Sequence, residues 1–237
     1  MIGFIGAKGG VGSSTLALSL SKYFEEEKSV LLLDGDWGRR SLDVLLGQEP
    51  SVYDFYNVIK GNEDGMTVIS ENLSYCPASL SKTFYDIKKE ELDEIFSKLE
   101  ERFSHIIVDF SKKSAKELEL FYPYLTQIFL ITSDDIPGFI QGEGLYQQVK
   151  RKNRHVSVVI NGVKNSTTTV DWLKNHLPLW EEYHMIKYCD YTSHDDGALA
   201  TYPLEEMKRI WEATEKGTWK QPKIEPPTFW EKIRGRK

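Results

Sequence analysis

Long apolar runs are missing from this chain. The most extended, such as Val30-Leu31-Leu32-Leu33, are four residues, far short of the roughly 20 that cross a bilayer as a helix. The start of the sequence enters an apolar strand directly, so no secretory leader is expected. Cysteine is scarce: Cys76 and Cys189 are distant and fit no metal or disulfide spacing. They read as core or loop residues of a protein in a reducing cytosol, and iron–sulfur chemistry is disfavoured. The histidines at 105, 155, 176, 184 and 194 lack paired ligand spacing. No nucleophile elbow supports Ser/His/Asp hydrolysis, and there is no repeat or low-complexity tract. Positive charge is also short. The net charge is −6, yet residues 216–237 hold seven Lys/Arg against two Asp/Glu, which leaves −11 on residues 1–215. An acidic body argues against broad DNA binding, which rests on neutralising phosphates; a local basic patch stays open.

What is present begins at the segment Gly6-Ala7-Lys8-Gly9-Gly10-Val11-Gly12-Ser13-Ser14-Thr15. An apolar run, Ile2-Gly3-Phe4-Ile5, precedes it and a helical pattern from Leu16 follows. This is the strand–loop–helix setting of a phosphate-binding loop. Glycines let backbone N–H groups close around phosphate oxygens, and the helix N-terminus adds partial positive charge. The usual pattern ends Gly-Lys-Ser/Thr. Here Ser13 stands where that lysine belongs and Ala7 replaces the first glycine, while Ser14 keeps the Mg²⁺-liganding hydroxyl. Gly9, Gly10, Val11, Gly12, Ser13, Ser14 and Thr15 are the candidate nucleotide-binding residues.

Short β-rich runs alternate with helical patterns. Strands are expected at 2–6, 29–34, 105–109, 127–132, 156–160 and 184–188. Helices are expected at 14–27, 41–46, 52–60, 88–102, 114–122, 139–151, 168–176 and 204–215. In 88–102, Leu92, Ile95, Phe96 and Leu99 recur at helical spacing and read as core. The fold class is α/β: a doubly wound, mostly parallel sheet with helices on both faces. A chain of 237 residues fits one such domain plus a tail. The boundaries are 1–216 for the nucleotide-binding domain and 217–237 for a basic, proline-broken tail.

Ligands in open α/β sheets bind at the carboxyl ends of strands, and acidic residues sit there. The second strand runs into Asp34-Gly35-Asp36-Trp37-Gly38-Arg39-Arg40-Ser41-Leu42-Asp43. A carboxylate at this place can orient a water or hold a metal-bound water; the bland alternative is a turn or helix cap. Ile106-Ile107-Val108 ends in Asp109, which suits Mg²⁺ beside a phosphate loop or a helix N-cap. Asn161 ends another strand, where its amide suits an adenine edge or a turn.

Together, the loop, the Asp-x-Asp-x-Gly-x-Arg-x-Leu-Asp stretch and Ser51–Gly61 resemble the MinD/ParA family of deviant-Walker ATPases, its MinD branch most. Tyr75-Cys76-Pro77-Ala78-Ser79 is similar to that branch's next motif. The similarity is dense over residues 1–80 and sparser to about 210. The resemblance implies a P-loop NTPase fold of the SIMIBI type, ATP and Mg²⁺ as cofactors, and a homodimer around ATP. It gives Lys8 and Asp36 catalytic roles, the first reaching the partner's phosphates and the second positioning water. Ser14, Asp36 and Asp109 become the metal set, Asn161 reads adenine, and Asp190 lies in a loop closing over the base. The implied role is a spatial regulator or recruiter for division, pilus or secretion, or flagellar machinery, acting on an unidentified protein partner.

Two departures set a second reading, a non-hydrolysing scaffold, beside the weak ATPase. Ser13 loses a β/γ-phosphate contact, and its loss resembles the TadZ/CpaE pilus-localisation branch. The stretch Phe110-Ser111-Lys112-Lys113-Ser114 stands where relatives carry a Pro- and Gly-containing switch. In the tail, Phe229, Trp230 and Ile233 would share a helical face near four basic residues. That is either a membrane-surface anchor, making a cytoplasmic protein peripheral at the inner face of the membrane, or a solvated tail.

Overall fold

The computed structural model describes residues 1–83, 86–114, 116–152, 155–165, 169, 171–173, 175, 180, 182–188 and 201–218, the last stretch without the side chains of 201–203. The strands are β1 (Ile2–Gly6), β2 (Val30–Asp34), β3 (Thr67–Val68), β4 (Leu73–Cys76), β5 (His105–Asp109), β6 (Gln127–Ser133), β7 (Val156–Val163) and β8 (Tyr183–Lys187). The helices are α1 (Ser13–Phe24), α2 (Ser41–Leu46), α3 (Phe55–Ile59), α4 (Lys89–Arg102), α5 (Ile136–Lys150) and α6 (Thr201–Glu215). One eight-stranded sheet runs in the order β3-β4-β2-β5-β1-β6-β7-β8. Every neighbouring pair is parallel except β3 with β4.

Parallel strands covered on both faces read as continuous apolar runs, and β1, β2 and β5 do so. Their alternating side chains feed two separate cores. Ile5, Leu31, Leu33, Val108, Leu130 and Val158 meet Phe96 and Leu99 of α4 and Phe139 of α5. Phe4, Leu32, Ile107, Phe129 and Ile131 meet Leu16 and Leu20 of α1 and Met207 and Ile210 of α6. The chain lays β5 between β2 and β1, then passes β1 to add β6. Growth thus reverses beside β1, the switch point at which open sheets form a ligand crevice.

The expected α/β class is therefore observed, with helices on both faces. The six expected strands are present within a few residues, but β4 went unrecognised because only four residues span it before Pro77. The helix expected at 114–122 is absent among the described residues. Ser114 and Glu117 form a capping box, Ser114 Oγ accepting the Glu117 N–H at 3.3 Å and Glu117 Oε2 the Ser114 N–H at 2.9 Å, but the helix this signals does not propagate. The segment makes turns and ends in a 3-10 turn at Tyr122–Tyr124 containing Pro123. Helix α3 begins only at Phe55 because Asp54 caps it, its carboxylate accepting the Asn57 N–H at 3.2 Å. Residues 169, 171–173 and 175 are helical, inside the expected 168–176. The tail beyond 218 and the Asp190 position lie outside the described residues.

Candidate functional site

The loop between β1 and α1 is anchored at its base. Gly6 N–H donates to the Ser111 carbonyl at 2.6 Å and Ala7 N–H to the Ile131 carbonyl at 2.8 Å. Gly10 and Gly12 take φ values of 76° and 89°, a left-handed conformation that side chains disfavour. A Cβ on Gly12 would lie 2.6 Å from Asn161 Nδ2, whereas at Gly9 and Gly10 it would meet nothing within 4 Å. The loop is therefore closed beneath Gly12 and open above its glycines. The first bond of α1 runs from Leu16 N–H to the Gly12 carbonyl, so the amides of Ser13, Ser14 and Thr15 have no helical acceptor. That is the donor arrangement an anion requires.

Strand ends β2 and β5 supply the acidic floor. Asp34 and Asp109 are fully buried and Asp36 is 8% exposed. Asp34 Oδ1 accepts the Asp36 N–H at 2.9 Å, while its Oδ2 has no hydrogen-bond partner. Burial, then the Asp109 charge, pushes the Asp34 pKa up to about 8. Burial likewise raises Asp109 to about 6, opposed by hydrogen bonds from Ser14 and Ser111. The Ser14 hydroxyl lies 3.2 Å from Ser41 Oγ and 3.4 Å from Ser111 Oγ. Sequence reasoning had named Ser14, Asp36 and Asp109, and the fold brings all three to one crevice.

Among the described residues, no group of three or more His, Cys, Asp or Glu stands close enough to cage a metal ion. Mg²⁺ beside phosphates needs no such cage, since it keeps waters and takes one or two protein ligands plus phosphate oxygens. A hydroxyl, buried carboxylates and one orphaned carboxylate oxygen fit that mode of holding.

Two lysines enter the site. Lys8 Nζ pairs with Asp135 Oδ2 at 2.6 Å, at side-chain exposures of 28% and 44%. Asp135 caps α5, accepting the Gly138 N–H at 2.6 Å, and also accepts Ser133 Oγ at 2.9 Å. Its burial would raise its pKa, but Lys8, Gly138 and Ser133 outweigh that and hold the carboxyl below its usual range. The second lysine was missed as a site residue. Lys113 Nζ stands 3.1 Å from Asp36 Oδ1, with both side chains about one-tenth exposed (10% and 11%). Ser111 turns the chain to place it, at φ 46°, among the described residues the one non-glycine with positive φ. Its N–H donates to Asp109 Oδ1 at 2.9 Å, and its hydroxyl to Oδ2 at 3.3 Å.

The remaining motif residues brace the floor. Arg40 donates to the carbonyls of Ala78 (2.9 Å) and Ser51 (2.6 Å), tying three motif segments together. Tyr75 OH donates to Asp43 Oδ1 at 2.6 Å. Asn161 Nδ2 donates to the Val11 carbonyl at 2.9 Å, so it borders the loop beneath Gly12.

This geometry agrees with the comparisons. The profile of the CobQ/CobB/MinD/ParA nucleotide binding domain matches residues 2–190. The chain belongs to this family. The septum site-determining protein MinD of Buchnera aphidicola is 27% identical over 183 residues, covering 73% of this chain and 63% of that protein. The chain thus spans somewhat under two thirds of that relative. A plasmid partition protein of Borrelia burgdorferi bound to AMPPNP aligns at TM-score 0.71 with 18% identity, covering 91% of this chain and 98% of that one. The MinC:MinD cell division complex of Aquifex aeolicus gives 0.69 and 18%, covering 89% and 95%. At such identity the structural likeness establishes the P-loop NTPase fold.

Proposed function

We propose that this chain binds MgATP in the 6–15 loop, dimerises around it and uses the loaded dimer to recruit a protein partner to a cellular position. The observation that carries the reading is the convergence of Ser14, Asp36 and Asp109 on a glycine loop whose Gly12 is held left-handed. Backbone amides of Gly9 to Thr15 would bind the phosphates. Ser14, Asp36 and Asp109 would hold Mg²⁺, which supplies charge neutralisation at the β- and γ-phosphates. Asn161 and Asp190 would border the base. Asp36 would position water, and Lys8, released from Asp135, would reach the partner's phosphates. Division, pilus or secretion, and flagellar systems are the candidate settings. Among the described residues no helix is long and apolar enough to cross a membrane. Membrane contact in this reading would be peripheral, through the tail; DNA is disfavoured by the acidic body.

A specific observation favours the second reading, a scaffold that binds nucleotide without turning it over. Lys113 occupies the Asp36 carboxylate, and the post-β5 turn depends on a left-handed Ser111 rather than on a flexible glycine. Titration with a fluorescent ATP analogue, followed by sedimentation and phosphate release, separates the two. A nucleotide-bound dimer that releases phosphate slowly, and faster with partner or lipid, supports the switch. A bound dimer with no turnover under any such condition leaves the scaffold, and no binding at high micromolar Mg-nucleotide sinks nucleotide dependence altogether.

A further inference from the structure

Ser13 removes the lysine that a phosphate loop normally directs at the terminal phosphates, and its own side chain is short and buried, 7% exposed. The chain nevertheless carries a nearly buried lysine in the same crevice, introduced from a different element. We infer that Lys113, on the turn after β5, takes the place of the missing loop lysine and binds the β/γ-phosphates of a nucleotide held by its own chain. This rests on the nucleotide-binding reading above and deepens it.

Three observations carry the assignment. First, the geometry is built. A left-handed backbone is disfavoured for a non-glycine residue, and at Ser111 the N–H and hydroxyl bonds to Asp109 and the bond its carbonyl accepts from Gly6 hold it. The turn thereby links loop base, strand end and Lys113 through Ser111. Second, the cation faces the right side of the sheet. Its partner Asp36 follows the carboxyl end of β2, and Ser111, two residues before Lys113, approaches within 3.4 Å of Ser14 on the first turn of α1. A lysine's flexible four-carbon stem can shift its ammonium between neighbouring acceptors without moving the backbone. Third, the charge balance needs it. Asp34, Asp36 and Asp109 already crowd this crevice, all three of them buried. A polyphosphate entering without an added cation would meet uncompensated repulsion.

The same lysine therefore has two partners in turn. Without nucleotide it neutralises Asp36; with nucleotide it moves to phosphate oxygens and leaves the Asp36 carboxylate free to accept a hydrogen bond from water. Loading would then expose the water-positioning group in the same motion that fixes the phosphates.

The test measures displacement of a fluorescent ATP analogue, in Mg²⁺, by ATP, ADP and AMP. Lys113→Met is expected to weaken ATP and ADP by about 10- to 100-fold, the worth of a charge-assisted hydrogen bond, and AMP by less than about 3-fold. Lys113→Arg should recover most of the loss, and adding Ser13→Lys to Lys113→Met should restore it from the ordinary position. Because Lys113→Met strands a buried carboxylate and could fail to fold, Asp36→Asn is compared with Asp36→Asn/Lys113→Met, where no unpaired charge remains. The same 10- to 100-fold gap between those two is expected. Equal ATP affinity in either pair overturns the assignment and leaves nucleotide binding intact. A parallel loss for ATP and AMP also overturns it, since that marks a purely structural lysine. A wild-type chain that binds no nucleotide fails the underlying reading instead.

Discussion

The rim and the floor of the crevice each hold one lysine–aspartate pair, and the two differ in almost every physical respect. Lys8–Asp135 lies on the exposed rim, where water screens the pair and its worth to stability is about 0–1 kcal/mol. Lys113–Asp36 lies on the floor with side chains about one-tenth exposed, where removing one partner leaves a desolvated charge. The rim pair is easily opened, as the proposed reach of Lys8 to a second chain requires. The floor pair opens only when something else neutralises both charges, as a phosphate and a metal ion together would. Position in the crevice, rather than residue type, sets which lysine pair opens more easily.

The comparison can be broken most severely at the floor. Asp36→Ala, which takes the carboxylate away from a nearly buried Lys113, should lower stability by about 3 kcal/mol in a urea titration without nucleotide; a loss under about 0.5 kcal/mol would place the pair in the screened class. Gly12→Ala comes next. The left-handed backbone and the 2.6 Å approach of Asn161 Nδ2 should cost about 1–3 kcal/mol and abolish displacement of the ATP analogue.

At the rim, Asp135→Ala removes a helix cap as well as an ion pair and should cost about 1 kcal/mol. Lys8→Ala should change stability by less than about 0.5 kcal/mol while lowering the nucleotide-dependent dimer fraction in sedimentation. Loss of nucleotide binding by the Lys8 variant would reverse the roles assigned to rim and floor.

A separate test lies in pH. Asp34 and Asp109 titrate in the folded chain near 8 and 6, above the usual 3.8, so the folded state holds their protons more tightly than the unfolded one. Their stabilising contribution is full below about pH 4 and is lost as pH rises through 6 and then 8. The nucleotide-free melting temperature should therefore fall between pH 5 and 8.5, and Asp34→Asn should flatten that fall.

Much of this was readable from the residues because parallel strands write themselves as apolar runs and a glycine loop between strand and helix announces its own backbone. Ser14, Asp36 and Asp109 could be placed since each ends or follows a strand, and strand ends in this fold converge. Strand β4 escaped because Leu73-Ser74-Tyr75-Cys76 alternates weakly and stops at Pro77. The helix at 114–122 was overread because its start carries a real capping box at Ser114 and Glu117, yet the segment runs only through turns into the 3-10 turn that holds Pro123. Lys113 was legible only as a departure from a family pattern. Its partnership with Asp36 depends on the sign of φ at Ser111, and no spacing rule in a sequence of serines and lysines encodes that sign.

The most direct test of the floor lysine is a structure of the wild-type chain with a non-hydrolysable ATP analogue and Mg²⁺. The account predicts Lys113 Nζ within hydrogen-bond distance of β- or γ-phosphate oxygens of its own chain's nucleotide, with the Asp36 carboxylate released. Lys113 still bonded to Asp36, with the terminal phosphates contacted by no lysine of the same chain, would contradict it.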